Sequence, residues 1–242
     1  MKSIWIITKR ELSSIFDSLI AYFLLVLFLG FSGFFTWING SFDIFIVGQA
    51  TLQGFFFIAN WSLFFFIPAI TMRLLAEEKK SGTLELLLTK AITDRNVIIG
   101  KFLAALLLVC IALAFTLPYV ITLASIGKID IGGIICGYIG LVLVSASYIS
   151  IGLYASSITT NQIVAFLSAI FIGLFFQIIF QVMAGSATGL LGEIFSTLNL
   201  QNHFESISRG VIDSKDIIYF ASIIFLGIFL SELSISKRKI AG

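Results

Sequence analysis

The sequence predicts an all-α membrane protein with six transmembrane helices. Of its 242 residues, 59% are hydrophobic and 12% are charged, whereas soluble domains average roughly 45–50% apolar and about 25% charged residues. Six apolar stretches each approach the roughly 20 residues that an α-helix needs to cross a bilayer. They lie at about 18–37, 51–72, 98–124, 132–156, 163–183 and 217–235. We therefore expect residues 1–242 to form a single membrane domain.

Residues 1–17 predict an amphipathic helix that lies in the headgroup layer, ahead of the first span. Apolar side chains recur there at a helical spacing, and polar side chains lie on the opposite face of the helix. The apolar positions are Leu12, Ile15, Phe16, Leu19 and Ile20, and the polar positions are Lys9, Arg10, Ser13, Ser14 and Asp17. Trp5 suits an interfacial anchor. The apolar stretch that follows is too long for a signal peptide, and no small-residue cleavage site closes it.

A charged segment, residues 73–101, separates the second span from the third. It contains ten charged side chains in about an eighth of the chain. Breaks at Ser81–Gly82 and Thr93–Asp94 divide it into helix, short helix and helix, since threonine followed by an acid suits a helix N-terminus. The short helix carries an apolar stripe, which would hold it along the membrane surface with Glu85 facing a partner. The stripe consists of Leu84, Leu87 and Leu88.

The remaining spans are separated by shorter polar links. Pro118 falls within span three, where a proline is tolerated but often bends the helix. Gly133 and Gly137 open span four at a spacing that permits close helix approach. Residues 156–162 form a short uncharged link. Residues 185–216 form a longer polar segment, which is expected to be extracytoplasmic and either folds as short helices that cap the membrane domain or is an ordinary connector.

The distribution of basic residues predicts the orientation. The N-terminus, residues 73–101, the 156–162 link and the C-terminus together hold 12 of the 15 Lys and Arg residues. The opposite side holds Lys128, Arg209 and Lys215, together with six acids. Cytoplasmic segments carry the excess of Lys and Arg, so both termini and the charged segment are expected in the cytoplasm.

Several kinds of chemistry are excluded by missing motifs. The sequence has no GxxxxGK[ST] phosphate-binding loop, no HExxH and no GxSxG, so nucleotide hydrolysis by a P-loop is not expected of this chain. Cys110, Cys136 and the single histidine, His203, imply no metal cluster, and His203 is interpreted as a polar loop residue. Ion-coupled carriers keep ionisable groups inside their spans, whereas here the acids and bases avoid the span centres almost completely, with Glu232, near the end of span six, as the exception.

Three amide side chains inside the spans could line a substrate route. Asn60 lies in span two, and Gln177 and Gln181 lie four residues apart in span five. The alternative is that they make hydrogen bonds between helices, a contribution that averages about 0.6 kcal/mol in membrane proteins. The sequence leaves both interpretations open.

The charged segment resembles the signature of the permeases of the ABC-2 family of ABC transporters. The resemblance rests on Arg73, on AEEKKSGTLELLLT (76–89), on Thr93-Asp94-Arg95 and on Gly100-Lys101-Phe102. Two later stretches, SSITTNQIVAF (156–166) and HFESISRGVIDSKDIIYF (203–220), are most similar to the permease subunit of the gliding-motility-associated ABC transporter of Bacteroidota.

This resemblance implies a permease of the bacterial inner membrane that works with separate ATPase subunits. Residues 73–97 would be the cytoplasmic coupling loop, and the ATPase would bind ATP and magnesium, so the permease itself would bind no cofactor. A second permease or an auxiliary gliding-type membrane protein would complete a hetero-oligomer, alongside membrane lipids and without nucleic acid. The residues implied in ATPase contact are Lys9, Arg10, Glu11, Glu77, Glu78, Lys79, Lys80, Gly82, Thr83 and Glu85, with the 156–162 link as a second, smaller contact.

A second class of function also fits the sequence. A membrane scaffold that does not transport could recruit a cytoplasmic protein through residues 73–101. Such a scaffold would bind its partner but would show no conformational change linked to nucleotide. The substrate is not encoded in any recognisable feature of the spans.

Overall fold

The computed structural model describes residues 2–38, 51–83 and 93–241, and these residues form helices joined by short links, with no strand among them. A π-helical segment, Phe175–Ile179, lies between the helices that end at Leu174 and begin at Phe180. The helices are α1 (Lys2–Phe16), α2 (Leu19–Trp37), α3 (Gln53–Ser81), α4 (Asp94–Ala114), α5 (Leu117–Ile126), α6 (Ile131–Ile158), α7 (Gln162–Leu174), α8 (Phe180–Ser186), α9 (Leu190–Leu198), α10 (Leu200–Ser208) and α11 (Ser214–Ala241).

The all-α membrane fold is confirmed. Five helices or helix pairs of the described residues are long and apolar enough to cross a membrane, and α1 with α2 makes a sixth candidate if the pair, bent by 76°, counts as one span. The five are Gln53–Ser81, Asp94–Ile126, Ile131–Ile158, Gln162–Ser186 and Ser214–Lys237.

Helix α6 lies at the centre of the bundle and packs against both α3 and α11. Small residues allow these close approaches, as is common in membrane helix pairs. Gly137 of α6 lies under the ring of Phe56, and Gly152 lies under Thr71, so α3 and α6 run in the same direction. Gly227 of α11 lies against the backbone of Ser150.

The contact at Gly227 gives a first stability prediction. A Cβ added there would lie 2.8 Å from the carbonyl carbon of Ser150, and backbone cannot move aside as a flexible side chain can. We expect Gly227→Ala to lower the free energy of unfolding by about 1–3 kcal/mol. The measurement is unfolding of the purified protein in mixed micelles.

Gly30→Ala is the matched control, because a Cβ at Gly30 meets nothing within 4 Å in the described structure. Alanine favours a helix over glycine by about 1 kcal/mol, so this variant should be neutral or slightly stabilised. Equal stability of the two variants would contradict the close approach of α11 to α6.

The charged segment begins as a continuation of the second span. Helix α3 has 29 residues, or roughly 43 Å at 1.5 Å per residue, and therefore extends beyond a hydrocarbon core of about 30 Å. The expected break follows it, because Gly82 ends α3 with a positive φ of 71°. The Thr93 side chain caps α4 by accepting a hydrogen bond from the Asn96 backbone N–H, as predicted. The predicted short helix with Glu85 falls in residues 84–92, outside the described residues.

Two elements of the later chain refine the predicted spans. Span three is divided at Phe115 and Thr116 into α4 and α5, and Pro118 lies in the first turn of α5, where the missing N–H of proline costs no hydrogen bond. Residues 185–216 contain two short helices, α9 and α10, in agreement with the short-helix alternative. Helix α10 packs on α6 where Phe204 and Ile207 meet Gly140.

Candidate coupling surface and buried polar clusters

The face of α1 that packs on α4 differs from the apolar face expected from the sequence. Its buried residues are Ile7, Thr8 and Glu11, a helical stripe that begins upstream of the predicted one. Gly100 of α4 makes the contact possible, since Ile7 occupies the space that a Cβ would need, and the Thr8 hydroxyl donates to the Gly100 carbonyl at 3.2 Å. Trp5 is exposed, as an interfacial anchor requires.

A buried cluster of charges joins three helices at this end of the molecule. The Lys101 side chain of α4 is 1% exposed, and its Nζ lies 3.0 Å from Glu11 Oε2 on α1 and 2.8 Å from Glu78 Oε1 on α3. Arg10 lies 2.5 Å from Glu11 and 3.9 Å from Glu78. Lys101 therefore holds together two acidic residues that are far apart in sequence. We call Arg10, Glu11, Glu78 and Lys101 the ion cluster.

The ion cluster keeps Glu11 ionised. Burial alone would raise the pKa of Glu11, but the attraction of Lys101 and hydrogen bonds from Arg10 and Lys101 outweigh burial and hold the pKa below its ordinary value of 4.5. A lowered carboxyl pKa stabilises the fold above the unfolded-state pKa, and this stabilisation is lost as the pH falls through the folded-state value. Glu11 therefore carries its negative charge at neutral pH.

A second set of contacts joins the end of α3 to the end of α6. The Ser156 hydroxyl accepts the backbone N–H groups of Leu75 and Ala76 at 3.1 and 2.9 Å and donates to the Met72 carbonyl at 3.1 Å. The Lys79 ammonium donates to the Ser157 carbonyl, a favourable position for a cation because the C-terminus of a helix carries partial negative charge. The end of α3 is thus fixed to α6 as well as to α1 and α4.

The residues implied in ATPase contact fall into an exposed group and an inward-facing group, and the exposed Arg10 connects the two through its pairs with Glu11 and Glu78. Lys9, Arg10 and residues 80–83 have exposed side chains or backbone, and we call them the coupling surface. Glu11 and Glu78 face inward in the ion cluster, Glu77 pairs with Arg73 at 2.9 Å, and Lys79 binds the end of α6. Sequence reasoning did not single out Lys101 or Ser156 for these contacts. The position of Lys101 within an apolar helical run is the sequence feature that could have indicated its buried contacts.

Two of the three amides inside the spans, Asn60 and Gln177, belong to a buried hydrogen-bond network that is centred on Gln201 of α10. Gln201 Oε1 accepts from Asn60 Nδ2 at 2.7 Å and from Gln177 Nε2 at 2.8 Å. The Tyr148 hydroxyl donates to Gln177 Oε1 at 2.7 Å, and Gln201 Nε2 donates to Glu205 at 3.0 Å. Asn60 and Gln177 therefore make hydrogen bonds between elements in this conformation, as in the second of the two interpretations. Both residues are 0–1% exposed.

Gln181 is exposed and takes no part in the network. Gln177 lies within the π-helical segment and Gln181 follows it, and the Phe180 N–H is bonded to the Phe175 carbonyl five residues earlier. A π turn inserts an extra residue and breaks the α-helical register. The Gln177 carbonyl within this turn accepts a bond from the Asn199 side chain at 3.4 Å.

His203 is a buried helical residue of α10, which corrects its interpretation as a polar loop residue. Its Nε2 lies 2.9 Å from the Thr197 carbonyl, and its Nδ1 lies 2.6 Å from Asp216 Oδ1. A carbonyl oxygen only accepts, so Nε2 is the donor in its contact with Thr197. The ring stacks on Tyr219 at a centroid distance of 4.0 Å. The pair fixes α10 to α11.

No group of three or more His, Cys, Asp or Glu side chains within residues 2–38, 51–83 and 93–241 is arranged to hold a metal ion. The polar clusters in that part of the chain consist of ion pairs and hydrogen bonds that join helices.

Comparison with known proteins agrees with the resemblance in the charged segment. The family model described as ABC-2 family transporter protein matches residues 5–231, a range that runs from α1 into α11. No curated protein matches the chain. The family match covers nearly the whole sequence, and the chain therefore belongs to the ABC-2 family of transporter proteins.

Proposed function

We propose that the chain is the permease subunit of an ABC transporter of the bacterial inner membrane, driven by a separate ATPase subunit that binds ATP and magnesium. Both termini and the coupling surface would face the cytoplasm. The finer proposal is a hetero-oligomer with a second permease or an auxiliary membrane protein of the gliding-motility type, which the similarity of residues 203–220 to that branch supports.

The observation that carries the proposal is the connection between the coupling surface and the bundle. The exposed end of α3 continues as one helix into the span, and the ion cluster fixes that end to α1 and α4. Ser156 and Lys79 fix it to α6. A partner that displaced residues 80–83 would therefore move α1, α3, α4 and α6 together, as in a rigid-body switch.

In this proposal the implied contact residues have two roles. Lys9, Arg10, Lys80, Gly82, Thr83 and Glu85 would meet the ATPase, and the 156–162 link would lie beside them, since Ser157 is bonded to Lys79. Glu11, Glu77, Glu78 and Lys79 would pass the movement to neighbouring helices. Asn60, Gln177 and Gln181 stay candidates for a substrate route that opens only when the spans rearrange.

A charge reversal at Glu85 tests the proposed contact. We expect Glu85→Arg to abolish the stimulation of ATP hydrolysis in the assembled complex, because it would place a cation where the ATPase surface accepts an anion. The protein should remain in the membrane at its normal amount. The measurement is ATPase activity of the complex in liposomes, with the permease quantified in the same samples.

Glu193→Arg is the matched control for this reversal. Glu193 lies exposed on α9, in the segment expected on the opposite side of the membrane, so ATPase stimulation should be unchanged. Equal stimulation in the wild type and in Glu85→Arg would reject Glu85 as a contact. An intact partner complex without any nucleotide-linked change in the permease would favour a scaffold over a transporter.

A further inference from the structure

A pocket of about 220 Å³ lies between α1, α2, α3 and α4, beside the ion cluster. Along α3 and α4 its lining changes from charged side chains near the helix end to apolar side chains within the span. On α3 the order runs from Glu77 through Arg73 to Ile70 and Ala69, and on α4 from Lys101 to Leu108. A pocket with this gradient suits an amphiphile whose polar group lies at the membrane surface.

The charges around the pocket are not equally available to a ligand. Glu11 and Glu78 are neutralised within the ion cluster by Arg10 and Lys101. Arg73 and Glu77 remain at the rim, with side chains 33% and 47% exposed and Nε 2.9 Å from Oε2. The rim therefore presents a cation and an anion side by side.

The Arg73 guanidinium has donors left for a ligand. The structure uses its Nε–H and one Nη2–H on Glu77 and one Nη1–H on the Ser18 hydroxyl, whereas a guanidinium has five N–H donors. Planar donor pairs of this kind recognise phosphate oxygens. The exposed Glu77 carboxylate retains acceptor capacity for an ammonium group next to that phosphate.

These features select among membrane lipids. A zwitterionic headgroup matches a rim whose cation and anion balance, whereas an anionic headgroup such as phosphatidylglycerol has no cation to pair with the Glu77 carboxylate. A choline headgroup carries no N–H to donate to Glu77. A primary ammonium next to a phosphate, as in phosphatidylethanolamine, satisfies both rim residues.

We propose that this pocket binds one phospholipid of the phosphatidylethanolamine class. Its phosphate contacts Arg73 and its ammonium contacts Glu77. The part of an acyl chain nearest the headgroup packs against Ala69, Leu24 and Leu108. The rest of the lipid lies in the bilayer. Because α1 and α2 form two sides of the pocket and meet at a 76° bend, the bound lipid fills the inner side of that bend.

The test is native mass spectrometry of the full chain with its co-purifying subunits, after delipidation and addition of equal amounts of phosphatidylethanolamine, phosphatidylcholine and phosphatidylglycerol. We expect one retained phosphatidylethanolamine per chain and about tenfold weaker retention in Arg73→Gln, which loses the charge-assisted contact to phosphate. Loss of the exposed Arg73–Glu77 pair should change folding stability little.

Arg95→Gln is the matched control, because Arg95 is an exposed arginine in the first turn of α4 at the same end of the molecule but does not line the pocket. It should retain the lipid as the wild type does. Ala69→Phe, which fills the apolar end, should lose the lipid while the Arg73–Glu77 pair is kept. Equal retention of phosphatidylglycerol, or equal loss in Arg73→Gln and Arg95→Gln, would overturn the proposal. The test involves neither nucleotide nor ATPase stimulation, so its result is independent of the proposed function.

Discussion

Replacing Lys101 by methionine is expected to lower the free energy of unfolding by about 3–5 kcal/mol, the cost of removing one partner of a buried ion pair. Lys101 is 1% exposed and lies within 3.0 Å of two carboxylates. Methionine keeps most of the side-chain volume but leaves Glu11 and Glu78 facing each other with only Arg10 to balance them. Unfolding in mixed micelles measures the loss.

Two further variants separate the ion cluster from a general effect of lost charge. Lys80→Met removes an exposed lysine from the end of α3 and should change stability by less than about 0.5 kcal/mol. Adding Glu78→Gln to Lys101→Met removes one uncompensated carboxylate and should recover part of the loss. Equal destabilisation by Lys101→Met and Lys80→Met would show that the cluster does not hold α1 to α3 and α4.

The ion cluster also shows where sequence reasoning reaches its limit. The sequence predicted that charges gather between spans two and three and that Gly82 and Thr93 bound the helices there, because these features depend on local composition and capping. The resemblance to ABC-2 permeases assigned Glu11 and Glu78 to contact with the ATPase, which would require both side chains to face the cytoplasm. Their inward position depends on Lys101, which is 90 residues from Glu11, and helical periodicity carries no information about such pairs.

Gln177 and Gln181 show a second limit. Four residues apart on an ideal α-helix, they share a face, which is why they were considered together. The π-helical segment separates their environments, and Gln177 becomes buried while Gln181 becomes exposed. The extra residue in that turn is accommodated by contacts from Asn199, Gln201 and Tyr148. Those partners lie on α6, on α10 and between α9 and α10, so the local sequence gives no sign of the register change.

Replacing Gln201 by leucine is the second large effect that we expect. Gln201 Oε1 is the shared acceptor for Asn60 and Gln177, both buried, so leucine of similar size would leave two amide donors without a partner. Unsatisfied buried donors cost about 1–3 kcal/mol each, although single hydrogen bonds in membrane proteins contribute at most about 1.7 kcal/mol. We expect a loss of about 1–3 kcal/mol in the free energy of unfolding.

Gln181→Leu makes the same chemical change at an exposed position and should be nearly neutral, within about 0.5 kcal/mol. Hydrogen exchange can locate the effect. Gln201 of α10 is bonded to Asn60 of α3, and Asn60 lies seven residues, or roughly 10 Å, along α3 from its first residue, Gln53. In Gln201→Leu the amides of α10 should exchange faster, while those of α4 near Lys101 should not change. If the two variants were equally stable and α10 remained fully protected, then His203–Asp216 and apolar packing, rather than Gln201, would hold α10 in the bundle.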